Sequence, residues 1–128
     1  MSAFGMTSMA GASVAERVNM TYFRQAPLGQ RLCVGGSFKE DGTGQFTTTD
    51  GGIIAMQPDA ELIKEVTSGL PKGFVEVLGT KEGEQNFRAS TILCLDVQGG
   101  QMDVGLWDEA VKMAHMPQLR ALFEPTAV

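Results

Sequence analysis

Short strand-like runs alternate with glycine-containing turns between residues 31 and 97, and this pattern restricts the fold more than any other feature. Five runs are apolar, β-branched or alternating in polarity: Arg31–Lys39, Gln45–Thr49, Ile53–Gln57, Phe74–Thr80 and Phe87–Val97. Asp50, Gly51 and Gly52 predict a tight hairpin between the second and third runs. The adjacent Gly35 and Gly36 predict a bulge or bend within the first run.

The residues from Lys81 onward lead to two further predictions. Lys81–Asn86 is predicted to be a polar turn between the fourth and fifth runs. The fifth run alternates, so one of its faces is predicted to hold Phe87, Ala89, Thr91, Leu93, Leu95 and Val97.

Two short helices are predicted around the first strands. Val14–Gln25 is predicted to be helical, with Ser13 as its N-cap. Pro58 and Asp59 are predicted to open a second helix. Its apolar side chains should face the core: Leu62, Ile63 and Val66.

The order of elements predicts a mainly β protein, an OB-fold five-stranded Greek-key barrel with a short helix between strands 3 and 4 and a C-terminal α-helix. A chain of 128 residues is long enough for one such domain. We expect a flexible N-terminal tail over residues 1–13, the OB-fold domain with its N-terminal helix over 14–101, and the C-terminal helix and tail over 102–128. No apolar run approaches the length of a membrane span, and no signal-peptide pattern is found at the start.

The charge pattern disfavours strong, independent binding to nucleic acid. The net charge is −5, and the ten Lys and Arg residues are scattered along the chain rather than clustered. OB-folds that bind single strands stack bases on aromatic side chains in a basic groove. The candidates for such contacts are Phe38, Lys39, Phe46, Phe74 and Arg88, although each Phe is better explained as a core residue.

No residues are arranged for catalysis, and we expect no enzyme activity, no metal and no cofactor. The single histidine, His115, is predicted to lie on the polar side of the last helix. Cys33 and Cys94 lack the paired spacing of a zinc site and are expected to be buried or half-buried thiols. The carboxylates of Asp108 and Glu109 are expected to be solvated, and no phosphate-binding or dinucleotide motif is found.

The segment Asp103–His115 is predicted to be a helix with an unusually wide apolar face, ending before Pro117. Its apolar side chains cover about half of the helix circumference, more than the stripe of about 100° that packing on one domain requires. We therefore predict a partner interface formed by Val104, Leu106, Trp107, Ala110, Val111, Met113 and Ala114.

Several blocks together resemble the smallest subunit of replication protein A, the heterotrimer that coats single-stranded DNA. In chain order they are Arg17-Val18-Asn19, LCVGG at 32–36, Asp50–Gly52, VEVLG at 75–79, ASTILC at 89–94 and DVGLWDEAVK at 103–112. The resemblance implies an OB-fold whose C-terminal helix packs with helices of the large and middle subunits in a three-helix bundle. It further implies a mainly structural, nuclear subunit whose partners provide the strong DNA contacts.

Two other functions remain open at this stage. The first is the small OB-fold subunit of a telomere-capping trimer, which would share the architecture. The second is a stand-alone, weak binder of single-stranded nucleic acid.

Overall fold

The computed structural model describes residues 15–66, 69–94 and 103–118. Within them lie six strands and three helices: β1 (Glu16–Val18), α1 (Met20–Gln25), β2 (Arg31–Phe38), β3 (Gln45–Thr48), β4 (Ile53–Pro58), α2 (Ala60–Glu65), β5 (Val75–Gly83), β6 (Asn86–Cys94) and α3 (Val104–Ala114). None of these helices is long and apolar enough to cross a membrane. The predicted N-terminal tail over 1–13 lies outside the described residues, and so does the end of the predicted helix-and-tail region over 102–128, from residue 119 onward.

Strands β2 to β6 form a closed barrel. The sheet order is β2-β3-β4-β6-β5, and antiparallel pairing of β5 with β2 closes it. The pairing of β4 with β6 is parallel, and the other barrel pairs are antiparallel. Since α2 joins the third and fourth barrel strands, the structure confirms the predicted OB-fold.

The two adjacent glycines of β2 lie where this strand changes partners. Leu32–Val34 pair with β1, whereas residues 36–38 pair with β3. A Cβ atom on Gly36 would overlap the backbone oxygen of Thr47. The missing side chain therefore allows the close backbone approach that the predicted bend requires.

The barrel interior is filled by apolar side chains from every strand and from the first two helices. The largest fully buried members are Phe23, Phe46, Phe87, Leu32, Ile54, Val18, Val34, Val75 and Val77. From α2, Leu62 joins this core and Val66 packs against it, as predicted. Ile63 does not, because it is 55% exposed on the outer side of this one-and-a-half-turn helix.

The first predicted helix is wrong in its N-terminal half. Glu16–Val18 forms a strand parallel to β2, and Val18 enters the barrel core. The N-cap of α1 is Asn19, whose side-chain oxygen accepts a hydrogen bond from the backbone N–H of Tyr22 at 3.2 Å. The Asp50 carboxylate accepts a further one from the Met20 N–H at 2.9 Å. The predicted N-cap, Ser13, lies outside the described residues.

The polar turn predicted at Lys81–Asn86 is shorter than expected, because β5 continues to Gly83 and only residues 84–85 form the turn before β6. The cause is Lys81, whose side chain is buried beneath α1. Its ammonium donates to the backbone oxygens of Phe23 and Ala26, both at 2.7 Å. These carbonyls lie at the C-terminal end of α1, where a cation is favourable and backbone acceptors lack helical partners.

The predicted alternation of β6 breaks at Ser90. Leu78 pairs with Thr91 and Gly79 with Ala89, so Ser90 is an extra residue in the ladder. Phe87 and Ala89 are buried as predicted, but beyond the bulge Ile92 packs against the core and Thr91 is exposed. The last two members of the predicted face, at 95 and 97, lie outside the described residues.

The buried lysine yields a test of the fold. Substitution Lys81→Met should lower the free energy of unfolding by about 1–3 kcal/mol, because the buried carbonyl of Phe23 and the part-buried carbonyl of Ala26 lose their donor. Chemical denaturation monitored by circular dichroism measures the change. Lys39→Met, at an exposed lysine, is the control and should change it by less than about 0.5 kcal/mol. Equal effects of the two substitutions would contradict the assigned role of Lys81.

Candidate functional site

The C-terminal helix α3 packs on the outer surface of the barrel, where its tryptophan lies against β2. A Cβ atom on Gly35 would come within 2.7 Å of the Trp107 ring, so the glycine provides the space for the indole. Phe74 contacts the same ring edge-to-face, with centroids 5.9 Å apart. Val111 completes this small buried cluster.

A buried carboxylate joins the indole to β5 of the barrel and to the neighbouring strand β1. The Oε2 atom of Glu76, on β5, accepts a hydrogen bond from Trp107 Nε1 at 2.8 Å. The same atom accepts one from Arg17 Nε, on β1, at 2.9 Å. The hydrogen bond to Glu76 raises the pKa of Arg17, outweighing the effect of burial. The carboxylate is therefore satisfied although only 4% of Glu76 is exposed.

A second carboxylate holds the middle of α3. Asp108 Oδ1 accepts hydrogen bonds from Thr49 Oγ1 at 2.6 Å and from Asn19 Nδ2 at 3.0 Å, while Lys112 Nζ lies 3.3 Å from Oδ2. Burial acts to raise the pKa of Asp108, but the hydrogen bonds from Thr49, Asn19 and Lys112 outweigh it and leave the pKa lowered. The charged form is thus the one that the docked helix stabilises.

Both ends of α3 are also defined. The Asp103 carboxylate caps the first turn through the Leu106 N–H at 3.0 Å. At the other end, the His115 ring stacks on Tyr22 with centroids 3.9 Å apart, and its Nε2 lies 3.0 Å from the Arg17 backbone oxygen. The helix ends before Pro117, as predicted.

The structure divides the predicted partner interface into two sides. Trp107 and Val111 are buried against the chain's own barrel, so their assignment to a partner interface is corrected. The other large members stay exposed: Leu106 at 68%, Met113 at 42% and Val104 at 41%. Ala110 is exposed as well, and Ala114 is half-buried. We call Leu106, Ala110 and Met113, which lie on one side of α3, the outer stripe.

Two side chains that the sequence assigned to the polar, solvated side of α3 contact the barrel instead. Asp108 is only 7% exposed, and His115 packs on Tyr22. Their partners Asn19, Thr49 and Arg17 lie far away in the sequence, and no local pattern marks them. The contacts that dock α3 become visible only in the fold, where Asn19 lies within hydrogen-bond distance of Asp108.

The aromatic candidates for base stacking lie in the core, which is the explanation that the sequence favoured for each Phe. Phe46 is fully buried, Phe38 packs edge-to-face on it at 5.0 Å, and Phe74 lies beneath Trp107. Within the described ranges every Phe and Trp side chain is buried, and Tyr22 is half-buried against His115. This part of the chain therefore offers no exposed aromatic side chain for stacking.

The two predicted phosphate contacts are available but electrostatically compensated. Lys39 Nζ lies 3.4 Å from Asp41, and Arg88 Nε lies 3.2 Å from Glu82. Each ion pair reduces the positive potential that a phosphate backbone would meet. A nucleic-acid role for Lys39 and Arg88 stays a prediction.

The remaining features show little reactive chemistry. A cavity of about 390 Å³ beside α2 is lined by apolar, glycine and neutral polar residues, among them Phe38, Leu62 and Leu70. Burial raises the pKa of the Cys33 thiol, whereas Cys94 is exposed, contrary to expectation. Across 15–66, 69–94 and 103–118, no three His, Cys, Asp or Glu side chains are grouped to hold a metal ion.

The chain thus belongs to the class of OB-fold barrels with a C-terminal helix. No protein-family model matches it, and no curated protein matches it in sequence. A chain in the structure of U. maydis replication protein A bound to ssDNA is similar, with a TM-score of 0.58 and 22% identity over 87% of this chain and 96% of that chain. The S. pombe Stn1–Ten1 complex contains a similar chain, with a TM-score of 0.55 and 12% identity. The match covers 77% of this chain and 89% of that chain.

The S. pombe telomere capping protein Ten1 gives a TM-score of 0.54 and 16% identity, with 77% of this chain and 94% of that chain covered. At these identities the similarity establishes the OB-fold.

The lowered pKa of Asp108 predicts acid-sensitive docking of α3. Its pKa in the folded chain lies below the ordinary 3.8, so the charged carboxylate stabilises the fold above that pH. The contribution is lost as the pH falls through the lowered value. The difference in unfolding free energy between the wild type and Asp108→Asn should therefore be constant above about pH 5 and shrink in stronger acid. A difference independent of pH down to pH 2 would contradict this account.

Proposed function

We propose that this chain is a non-catalytic subunit of a replication protein A-type heterotrimer, and that it joins the large and middle subunits through α3. The observation that carries the proposal is the outer stripe. It is apolar and solvent-exposed, on a helix whose other side is fixed to the barrel. An exposed apolar side of this kind marks an interaction surface.

The stripe has the geometry of a helix–helix contact. Leu106, Ala110 and Met113 are separated by four and then three residues, the spacing of a coiled-coil seam. The small Ala110 at its centre leaves room for a large side chain of the partner. Burial of Leu106 and Met113 would contribute about 1.5–3 kcal/mol each. An apolar helix of a partner subunit, packed along this seam, is therefore the occupant we propose.

The barrel surface supports a structural role more than a primary role in DNA binding. Its aromatic side chains are buried, Lys39 and Arg88 are ion-paired, and the net charge is −5. We propose that single-stranded DNA is bound mainly by the partner subunits of the complex. The similarity to a chain of replication protein A bound to ssDNA supports a place for this chain in a complex that binds single-stranded DNA. Such a subunit would act in the nucleus, in replication, repair and recombination.

A telomere-capping complex is the second candidate. The Stn1–Ten1 complex and Ten1 have TM-scores close to that of the replication protein A chain. The outer stripe would serve equally well in such an assembly. The identity of the co-purifying partners distinguishes the two.

The stripe is tested by co-expression with the large and middle subunits of replication protein A from the source organism. The double substitution Leu106→Glu and Met113→Glu should abolish co-purification, because two charges would be buried without partners. Ile63→Glu, at an exposed apolar residue of α2, is the matched control and should leave assembly intact.

Full assembly by the double variant would overturn the proposed site. Wild-type chain that co-purifies with telomere-capping subunits, and not with replication protein A subunits, would favour the second candidate.

The isolated chain tests the proposed division of roles. Titration with oligo-dT at low salt should give binding weaker than micromolar, because the described Phe and Trp side chains are buried and both Lys39 and Arg88 are ion-paired. Fluorescence anisotropy of labelled oligo-dT is the measurement. Micromolar or tighter binding with a steep salt dependence would instead identify a stand-alone single-strand binder.

A further inference from the structure

The barrel and the proposed partner use different sides of the same helix. We propose that the barrel fixes the rotation of α3 about its own axis, and that Glu76, Asp108 and Thr49 are positioning residues for assembly. This inference rests on the proposed function and concerns how the outer stripe is presented, which the resemblance does not address.

The helix is too short to be stable without the barrel. It has eleven residues, and isolated helices of fewer than about 12–15 residues are marginal in water. The Asp103 cap contributes, but most of the stabilisation of α3 comes from its docked side. A folded outer stripe therefore depends on contacts that the partner does not make.

The docking contacts are directional and extend along the helix. The Trp107 indole donates to Glu76 in the first half, Asp108 accepts from Thr49 and Asn19 one residue later, and His115 stacks at the C-terminal end. Hydrogen bonds lose most of their strength when their geometry is distorted, whereas apolar contacts tolerate rotation. The two carboxylates thus hold α3 in one rotational setting, with Leu106, Ala110 and Met113 facing outward.

Fixing the helix also removes a competing interface. A free α3 would expose Trp107 and Val111 together with the outer stripe, and a partner could pack on either side. Docking buries the first pair and leaves a single seam. It also orders the helix before binding, so the ordering entropy does not reduce the affinity. The apparent dissociation constant should then rise in inverse proportion to the docked fraction.

Barrel-side substitutions test this without changing α3. Thr49→Val removes the hydroxyl that donates to Asp108, and Gly35→Val fills the space of the Trp107 ring. Thr47→Val is the control, because Thr47 is an exposed residue of β3 two positions before Thr49. Because Trp107 is the only tryptophan, its emission in the free chain reports docking. Circular dichroism checks that each barrel remains folded, and Thr49→Val keeps the test decisive if Gly35→Val does not fold.

We expect Thr49→Val to shift the Trp107 emission to longer wavelength. It should also raise the dissociation constant for the purified large–middle pair in inverse proportion to the docked fraction, about tenfold if about one tenth of the chains stay docked. Thr47→Val should change neither. Red-shifted emission with unchanged or tighter binding would overturn the inference, and so would an emission that neither barrel substitution shifts. Failure of the Leu106→Glu and Met113→Glu pair to prevent assembly would contradict the proposed function instead.

Discussion

Strand β2 is the constraint on which the rest of the structure depends, because three strands and one helix require it at once. It pairs with β1 and β3 along different halves, closes the barrel against β5, and accommodates the Trp107 ring at Gly35. Side chains at Gly35 and Gly36 would prevent both the docking of α3 and the approach of β3. Barrel closure and helix docking thus depend on the same few backbone atoms.

The barrel could be predicted because its determinants are local. Alternating polarity, the Asp50 hairpin and the helix opened by Asp59 each act over a few residues, and the order of elements then selects the OB-fold. The errors occur where a distant contact overrides the local pattern. Lys81 fits a turn pattern locally because its carbonyl partners at the C-terminal end of α1 are more than 50 residues away. Ser90 shifted the face of β6 through a bulge that no local residue type demands.

The candidate site could be predicted only in part, for the same reason. The wide apolar face of α3 indicated more apolar surface than its contact with the barrel needs. Periodicity, however, cannot tell which side of the helix packs on the barrel. Asp108 was assigned to solvent because a carboxylate is normally exposed. Its hydrogen-bond donors, Asn19 and Thr49, lie 89 and 59 residues away in the chain. Which side of α3 stays exposed therefore follows from the distant contacts that bury its other side.

The side-chain amide of Asn19 serves two elements with its two ends. Its oxygen caps α1, and its nitrogen donates to Asp108 on α3. Among the good N-cap residues, only asparagine offers a carbonyl acceptor and an NH₂ donor together. An aspartate would cap α1 equally well yet place a second negative charge against Asp108. This one position therefore links the start of α1 to the seating of α3, and tolerance of substitution there should be far narrower than its role as a cap would suggest.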